Sequence, residues 1–261
     1  MLFNYELKDG TQCSFPQDSR SGKFHVSWFW LTDSFYHVDL GGVNLFEYSR
    51  EMRDKYNLSR YDDYPYIRFL EDFFDILPEI CTSVPDDIYE RINTIEKRDH
   101  LRSLRDATAI GLSDDMVDAV DSLAWVGRMD AEYLAVKSSY ALNLCYDGDV
   151  HITYDFRDAD AGNFPVWTAG VGEYLLSYDS FFMEIESLLN RFFADMDEQV
   201  MKAARLAADS RYSLYDGGGV DFLINEHKER KAYFYDSLRR IKAGEISTAP
   251  DWTTIRGYFN K

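Results

Sequence analysis

The alternation of apolar and polar residues is clearest in the middle of the chain, where it predicts a β-hairpin. From Tyr140 to Tyr146 and from Val150 to Phe156, large side chains recur at every second position, as in half-buried strands. Asp147-Gly148 lies between the two runs and is typical of a tight turn. After a polar loop, the pattern predicts two further strands, Val166–Thr168 and Glu173–Leu176. We therefore expect a four-stranded sheet in this region.

A second β-rich region lies near the N-terminus. The segments Phe24–Trp30 and Phe35–Leu40 are dense in aromatic and β-branched residues, and Thr32-Asp33-Ser34 interrupts them. This pattern predicts a hairpin with Asp33-Ser34 at its turn. Val43–Tyr48 follows as a short third strand.

Apolar residues at helical spacing predict helices in the remaining segments. One helix follows Pro65 and is closed by Pro78, and the next begins at Pro85-Asp86-Asp87 with Ile88, Ile92 and Ile95 as its buried stripe. Ser113 is a candidate cap for a third helix. Ser177 caps a long helix, and a final one runs from Val220 to Ala243 with Gly244 at its end. The apolar stripe of the long helix contains Phe181, Phe182, Ile185, Leu188, Leu189, Phe192, Met196 and Val200.

These elements predict an α+β fold. Antiparallel sheet segments in the N-terminal and central hairpin regions are expected to pack with several amphipathic helices. A length of 261 residues fits a single compact domain over residues 1–261. The order sheet, helices, sheet, helices leaves two β-then-α halves, residues 1–126 and 127–261, as the alternative.

Charge narrows the class of partner. The chain has 28 Lys and Arg against 46 Asp and Glu, a formal net charge of −18. The electrostatic field of a chain with this negative charge repels nucleic acid and anionic membranes and attracts basic proteins. We therefore expect a basic protein partner, with no nucleic acid and no membrane among the partners.

Three observations favour a cytoplasmic protein. The N-terminus lacks the basic start and apolar run of a signal peptide. The sequence contains no apolar stretch of about 18 residues that would span a membrane. Cys13, Cys81 and Cys145 are odd in number and far apart, which fits a reducing compartment better than a disulfide framework.

Motifs of catalysis are missing from the sequence. It contains no phosphate-binding glycine loop, no GxSxG and no HExxH, and no two of its five histidines are three or four residues apart. We therefore predict no catalytic residue, no cofactor and no metal, and we expect that the protein is not an enzyme. If an active site is assembled from distant residues, His37 and His151 with the turn acids Asp33 and Asp147 are the first candidates. Glu226-His227-Lys228 is predicted to lie on an exposed helix surface.

Acidic residues are the candidates for binding a partner. Asp114, Asp115, Asp118 and Asp121 cluster over two predicted helical turns. The alternative for Asp114 and Asp115 is that they complement the dipole of the helix N-terminus. Asp147 and Asp149 at the central hairpin turn complete the predicted partner-binding set.

The consecutive aromatic residues Trp28, Phe29 and Trp30 are a separate candidate. Side chains alternate between the two faces of a strand, so at least one of the three faces away from the core of its own sheet. That side chain is either a binding anchor or is covered by the helices that follow, and we favour coverage.

Several short sequence motifs are distributed over most of the chain. They are Trp30-Leu31-Thr32-Asp33 with Tyr36, Leu45-Phe46-Glu47-Tyr48-Ser49, Trp125 with Arg128, Asp130, Tyr133 and Leu134, Gly148-Asp149, Pro165-Val166-Trp167-Thr168-Ala169, Glu226-His227 with Arg230, and Asp251-Trp252 with Ile255-Arg256. In these residues and in their order the chain resembles a bacterial family catalogued as domain of unknown function 5984, although Ser34 stands where the family usually has glycine. The resemblance implies a compact bacterial intracellular protein and supplies no catalytic residues.

Together these features favour an inhibitory binding protein. The most specific form of this hypothesis is an intracellular immunity protein that neutralises a basic bacterial toxin by direct contact. Two alternatives stay open: an adaptor or structural interaction protein, and an enzyme with a non-local site around His37 and His151.

Overall fold

The computed structural model describes residues 1–98, 100, 103, 123, 127–130, 140–157, 164–206, 209–214, 219–246 and 250–259. It has the expected α+β fold. The strands are β1 (Phe3–Leu7), β2 (Phe24–Val26), β3 (Asp33–Leu40), β4 (Val43–Leu45), β5 (Asp62–Pro65), β6 (Arg128–Asp130), β7 (Tyr140–Tyr146), β8 (Asp149–Asp155), β9 (Val171–Ser177) and β10 (Tyr212–Leu214). The helices are α1 (Arg50–Tyr56), α2 (Tyr66–Ile80), α3 (Asp86–Ile92), α4 (Tyr178–Leu206), α5 (Val220–Lys242) and α6 (Trp252–Phe259).

The chain divides into two compact units, each built from two segments. Unit 1 comprises Met1–Glu71 and Met183–Arg239, and unit 2 comprises Asp72–Phe182 and Arg240–Lys261. The predicted single domain over residues 1–261, and its alternative of halves at 1–126 and 127–261, stay predictions. Among the described residues, no helix has both the length and the apolar run needed to cross a bilayer.

Unit 1 contains an antiparallel sheet organised around β3. Strand β1 pairs along one edge of β3, from Phe3 opposite Val38 to Leu7 opposite Ser34. Strands β4 and β5 share the other edge. Tyr36, Val38 and Leu40 alternate as buried positions of β3, which is the period-two pattern of a strand with one face on a core.

The predicted N-terminal hairpin turn at Asp33-Ser34 was wrong. Strand β3 begins at Asp33, and these two residues are only 2% and 0% exposed. Asp33 accepts the backbone N–H of Ser14 at 2.8 Å and contacts the Lys8 ammonium at 3.3 Å. These contacts compensate the buried carboxylate of Asp33, so a residue type that is common in turns can lie inside a sheet. The turn propensity of a short segment does not reveal such distant partners.

The aromatic segment before β3 also differs from the prediction. Strand β2 covers only Phe24–Val26, and it pairs in parallel with β10 rather than with β3. Trp30–Thr32 form a 3₁₀ turn. The third predicted strand is present in shorter form as β4.

Unit 2 contains a four-stranded antiparallel sheet in the order β6-β7-β8-β9. The predicted central hairpin is confirmed as β7 and β8, with Tyr146 opposite Asp149. Asp147 and Gly148 have φ of 50° and 82°, the positive values that a two-residue turn of this type requires. The fourth strand is β6, because Val166–Thr168 lies outside the strands although Val166 and Trp167 are buried.

Helices α2 to α5 follow the predicted periodicity, whereas the helix predicted to begin at Ser113 lies outside the described residues. Ser177 caps α4 by accepting the N–H of Ser180 at 3.2 Å, and all eight residues of the predicted α4 stripe are buried. Helix α2 continues past Pro78 to Ile80. Pro78 lies in the last turn of this helix, and Leu77 and Ile80 on either side of it are fully buried.

Candidate functional site

An exposed sheet face in unit 2 carries the predicted acidic residues of the central hairpin. Along β8, Val150, Ile152 and Tyr154 are buried, whereas Asp149, His151 and Thr153 on the opposite face are partly exposed. His151 pairs with Leu175 of β9, and opposite residues of an antiparallel pair share one face. Leu175 is 55% exposed. This face is therefore open along β9, whereas Leu144, opposite His151 on β7, is buried.

Two tyrosines and a histidine form the centre of this face. The rings of Tyr89 and Tyr146 stack with centroids 3.8 Å apart and an interplanar angle of 3°. The Tyr89 hydroxyl lies 2.7 Å from Nδ1 of His151, and Asn93 also hydrogen-bonds this hydroxyl. Tyr146 and His151 are thereby held in fixed orientations against Tyr89, which is only 9% exposed, and this order lowers the entropy that the two partly exposed side chains would lose on binding a partner.

Carboxylates surround the tyrosine pair. Desolvation raises the pKa of Tyr146, and the nearby charges of Asp86, Asp147 and Glu90 raise it further. Desolvation also raises the pKa of Tyr89, with Tyr146, Glu90 and Glu173 contributing. We call this surface the acidic face; its residues are Asp86, Tyr89, Glu90, Tyr146, Asp147, Asp149, His151, Val171, Glu173 and Leu175.

The acidic face contains two of the predicted partner-binding residues. Asp147 is exposed at the tip of the hairpin and Asp149 begins β8. The remaining four, Asp114, Asp115, Asp118 and Asp121, lie outside the described residues. Glu173, Glu90 and Leu175 were missed, because the pairing of β9 with β8 and the position of α3 bring them to the face.

His37 and Asp33 each have local partners in unit 1. The His37 ring stacks on Tyr61 at 4.0 Å, and desolvation lowers its pKa against the opposing effect of Asp39 and Glu47. Asp33 is buried against Lys8. In the described parts of the chain, no three His, Cys, Asp or Glu side chains are grouped to hold a metal ion.

Unit 1 contains an apolar pocket of about 520 Å³ beside the consecutive aromatic residues. Trp28 is fully buried, as favoured from the sequence, whereas Phe29 and Trp30 are partly exposed. The polar lining consists of His25, Ser27 and Glu226. The apolar lining consists of Pro16, Val26, Trp28, Phe29, Trp30, Leu214, Phe222 and Leu223.

His227 holds Trp28, one of the residues that line this pocket, in place. The prediction that His227 lies on an exposed helix surface was wrong. His227 is only 5% exposed. Its Nδ1 accepts the indole N–H of Trp28 at 3.1 Å, and its Nε2 lies 2.7 Å from Asp197. An indole can only donate, so Nδ1 carries no proton and Nε2–H donates to Asp197. Both nitrogens of His227 are thus occupied by structural contacts.

Arg230 completes the surroundings of Trp28. Its guanidinium lies 4.6 Å from the centroid of the Trp28 ring. It donates to Glu226 at 3.0 Å and to Glu71 at 2.9 Å. Trp30 and Glu226, which belong to two different family-like motifs, therefore line the same pocket.

Comparison with known proteins identifies the family of this chain. The model of the family described as "Family of unknown function (DUF5984)" matches residues 2–258. The chain belongs to this family. The match confirms the resemblance expected from the sequence and covers both units. No curated protein and no solved structure matches this family member.

Proposed function

We propose that this DUF5984 protein is an inhibitory binding protein that contacts a basic protein partner through its acidic face. The observation that best supports this proposal is that one surface combines an ordered aromatic ring, exposed aliphatic residues and carboxylates. The partly exposed ring of Tyr146 supplies rigid contact area, and Val171 and Leu175 on β9 supply apolar anchors. The carboxylates select partners of opposite charge.

The most specific form of the proposal is an immunity protein that neutralises a toxin in the cytoplasm. Many toxins that cleave nucleic acids are basic, because they must bind phosphates. An inhibitor with a net charge of −18 would associate rapidly with such a protein and cover its binding surface. Three cysteines without disulfides are consistent with a reducing compartment.

The test compares capture of a partner by matched charge variants. The face variant carries Asp147→Lys and Glu173→Lys, and the control carries Asp221→Lys and Glu229→Lys, both exposed on α5. The two variants have the same net charge. We expect the native protein and the control to capture one basic protein from source-cell lysate at low salt and to release it at about 0.5 M salt. The face variant should capture much less.

Toxicity then separates an inhibitor from an adaptor. The captured protein is expressed alone and with the native protein in cells. Growth arrest that the native protein relieves and the face variant does not relieve is the expected result. A harmless partner would favour the adaptor alternative, and equal capture by face and control variants would contradict the role of the acidic face.

One observation favours the enzymatic alternative. The Tyr89 hydroxyl, on a side chain that is only 9% exposed, forms a hydrogen-bonded pair with the partly exposed His151, an arrangement that acid–base chemistry can use. If Tyr89→Phe leaves capture of the partner unchanged and abolishes a chemical activity detected on that partner, this alternative replaces the inhibitor proposal.

A further inference from the structure

The pocket beside Trp28 has the size and lining of a small-molecule site. A volume of about 520 Å³ lies within the range of ligand pockets. Its lining includes four Trp and Phe side chains, of which Phe29 and Trp30 are partly exposed and Phe222 is exposed. Phe222, in the first turn of α5, is 55% exposed and lines the pocket together with Phe29 and Trp30.

The polar lining selects a positively charged ligand. The described lining contains no lysine or arginine, and Glu226 is its only carboxylate. Arg230 holds Oε1 of Glu226, while no described residue contacts Oε2. The Arg230 guanidinium itself is occupied by Glu226, Glu71 and the face of Trp28. An anion would therefore meet a carboxylate without a compensating cation, whereas an ammonium group would gain an ion pair.

Aromatic walls reinforce this selection. A cation beside the face of a tryptophan or phenylalanine is attracted by the ring quadrupole, and more strongly in a partly desolvated pocket. The remaining apolar lining fits a planar hydrocarbon group. We propose that this pocket binds a small organic cation consisting of an aromatic group and an amine, with the amine at Glu226 and the aromatic group between Trp30 and Phe222.

Three probes of one shape and different charge test the proposal. Tryptamine is cationic, tryptophol is neutral and indole-3-acetate is anionic, and all three carry the same indole. Titration calorimetry measures their binding to the full chain at probe concentrations up to about 5 mM. We expect tryptamine to bind about tenfold more tightly than tryptophol, and indole-3-acetate to bind most weakly. No tryptamine binding, or equal binding of the three probes, would overturn the proposal.

Matched variants locate the binding. Glu226→Gln removes the carboxylate charge and keeps an acceptor for Arg230, while Glu229→Gln makes the same change on the exposed side of α5. Glu226→Gln should lower tryptamine affinity to that of tryptophol, and Glu229→Gln should leave it unchanged. Equal losses in both variants would show attraction by net charge alone and would contradict a site at Glu226.

A second pair of variants tests the aromatic wall. Phe222→Ala should weaken binding of tryptamine and tryptophol alike, because it removes surface that both indoles contact. Tyr233→Ala, at a residue of α5 that is 60% exposed and outside the pocket lining, is the control. Unchanged probe binding in Phe222→Ala would overturn the assignment. The acidic face lies in unit 2, so this proposal and the proposed function fail independently.

Discussion

The indole N–H of Trp28 donates a 3.1 Å hydrogen bond to Nδ1 of His227, a residue 199 positions further along the chain. The bond fixes the tautomer of His227 and therefore the direction of its second bond, to Asp197. It also holds the wall of the aromatic pocket in place. Trp28 is fully buried, so its N–H has no access to water if this acceptor is lost.

Removing the acceptor should destabilise the protein. His227→Phe leaves the Trp28 N–H unpaired in the core, and we expect a loss of about 2 kcal/mol in the free energy of unfolding. Asp197→Asn keeps an acceptor for the Nε2–H of His227 and weakens only the partly exposed ion pair of the Asp197 carboxylate. It should therefore lower the free energy of unfolding by less than about 1 kcal/mol. Urea unfolding followed by tryptophan fluorescence measures both. Equal midpoints for the two variants would show that the Trp28–His227 bond adds no stability.

Asp62 should make stability depend on pH. Desolvation raises the pKa of its carboxyl to about 6, although Tyr36 and Tyr48 donate hydrogen bonds to it. The unfolded chain has a pKa of about 3.9 there, so the folded protein binds this proton more tightly. The resulting stabilisation is fully present below about pH 4 and is lost as pH rises through about 6.

The variant Asp62→Asn isolates this effect, because the other groups titrate in both proteins. Relative to the variant, the free energy of unfolding of the native protein should fall by roughly 2–3 kcal/mol between pH 4 and pH 7. Chemical denaturation over this range measures the difference. Parallel stability curves for the two proteins would show that Asp62 does not titrate in this window.

Gly127 should tolerate no side chain. Its φ is 64°, and a Cβ built there would lie 2.0 Å from the backbone oxygen of Asn143. Its carbonyl also accepts the backbone N–H of Asn143 at 2.9 Å, next to β6. Gly127→Ala should therefore lower stability by about 3 kcal/mol or more.

Gly170 provides the comparison for Gly127, because a Cβ there would meet nothing within 4 Å and its φ is not positive. Gly170→Ala should change the melting temperature by only a degree or two. A similar small shift for Gly127→Ala in calorimetry would mean that β7 can move away from residue 127 at little cost.

Leu175 should contribute to partner binding and not to folding. Its side chain is 55% exposed on the edge strand β9, so Leu175→Ser should change the free energy of unfolding by less than about 0.5 kcal/mol. If it is an apolar anchor, the affinity for the captured basic partner should fall about tenfold.

Met201→Ser is the matched change for Leu175→Ser, because Met201 is 57% exposed on α4 in unit 1. It should leave partner affinity unchanged in surface-immobilised binding measurements. An equal loss of affinity in both variants would exclude a specific role for Leu175.

Some residues of the candidate sites could be predicted from the sequence. The turn acids Asp147 and Asp149 were predicted because a tight turn exposes its residues, and His151 followed from the alternation along β8. Glu173 and Leu175 join them only because β9 pairs with β8 in one particular register. A shift of one residue would turn both side chains to the opposite face.

The sequence alone determined the elements whose signals are local: the β7–β8 hairpin, the stripe of α4, the start of α3 and the end of α5 shortly before Gly244. These signals arise from dihedral preferences and from contacts between residues two to four positions apart, so a short window contains them. Only the tertiary structure decided that Asp33 lies inside a sheet, that β2 pairs with β10 and that His227 holds Trp28. Each depends on a partner distant in the chain, and such pairings are selected by the burial of whole faces and the satisfaction of buried polar groups, which local residue patterns do not encode.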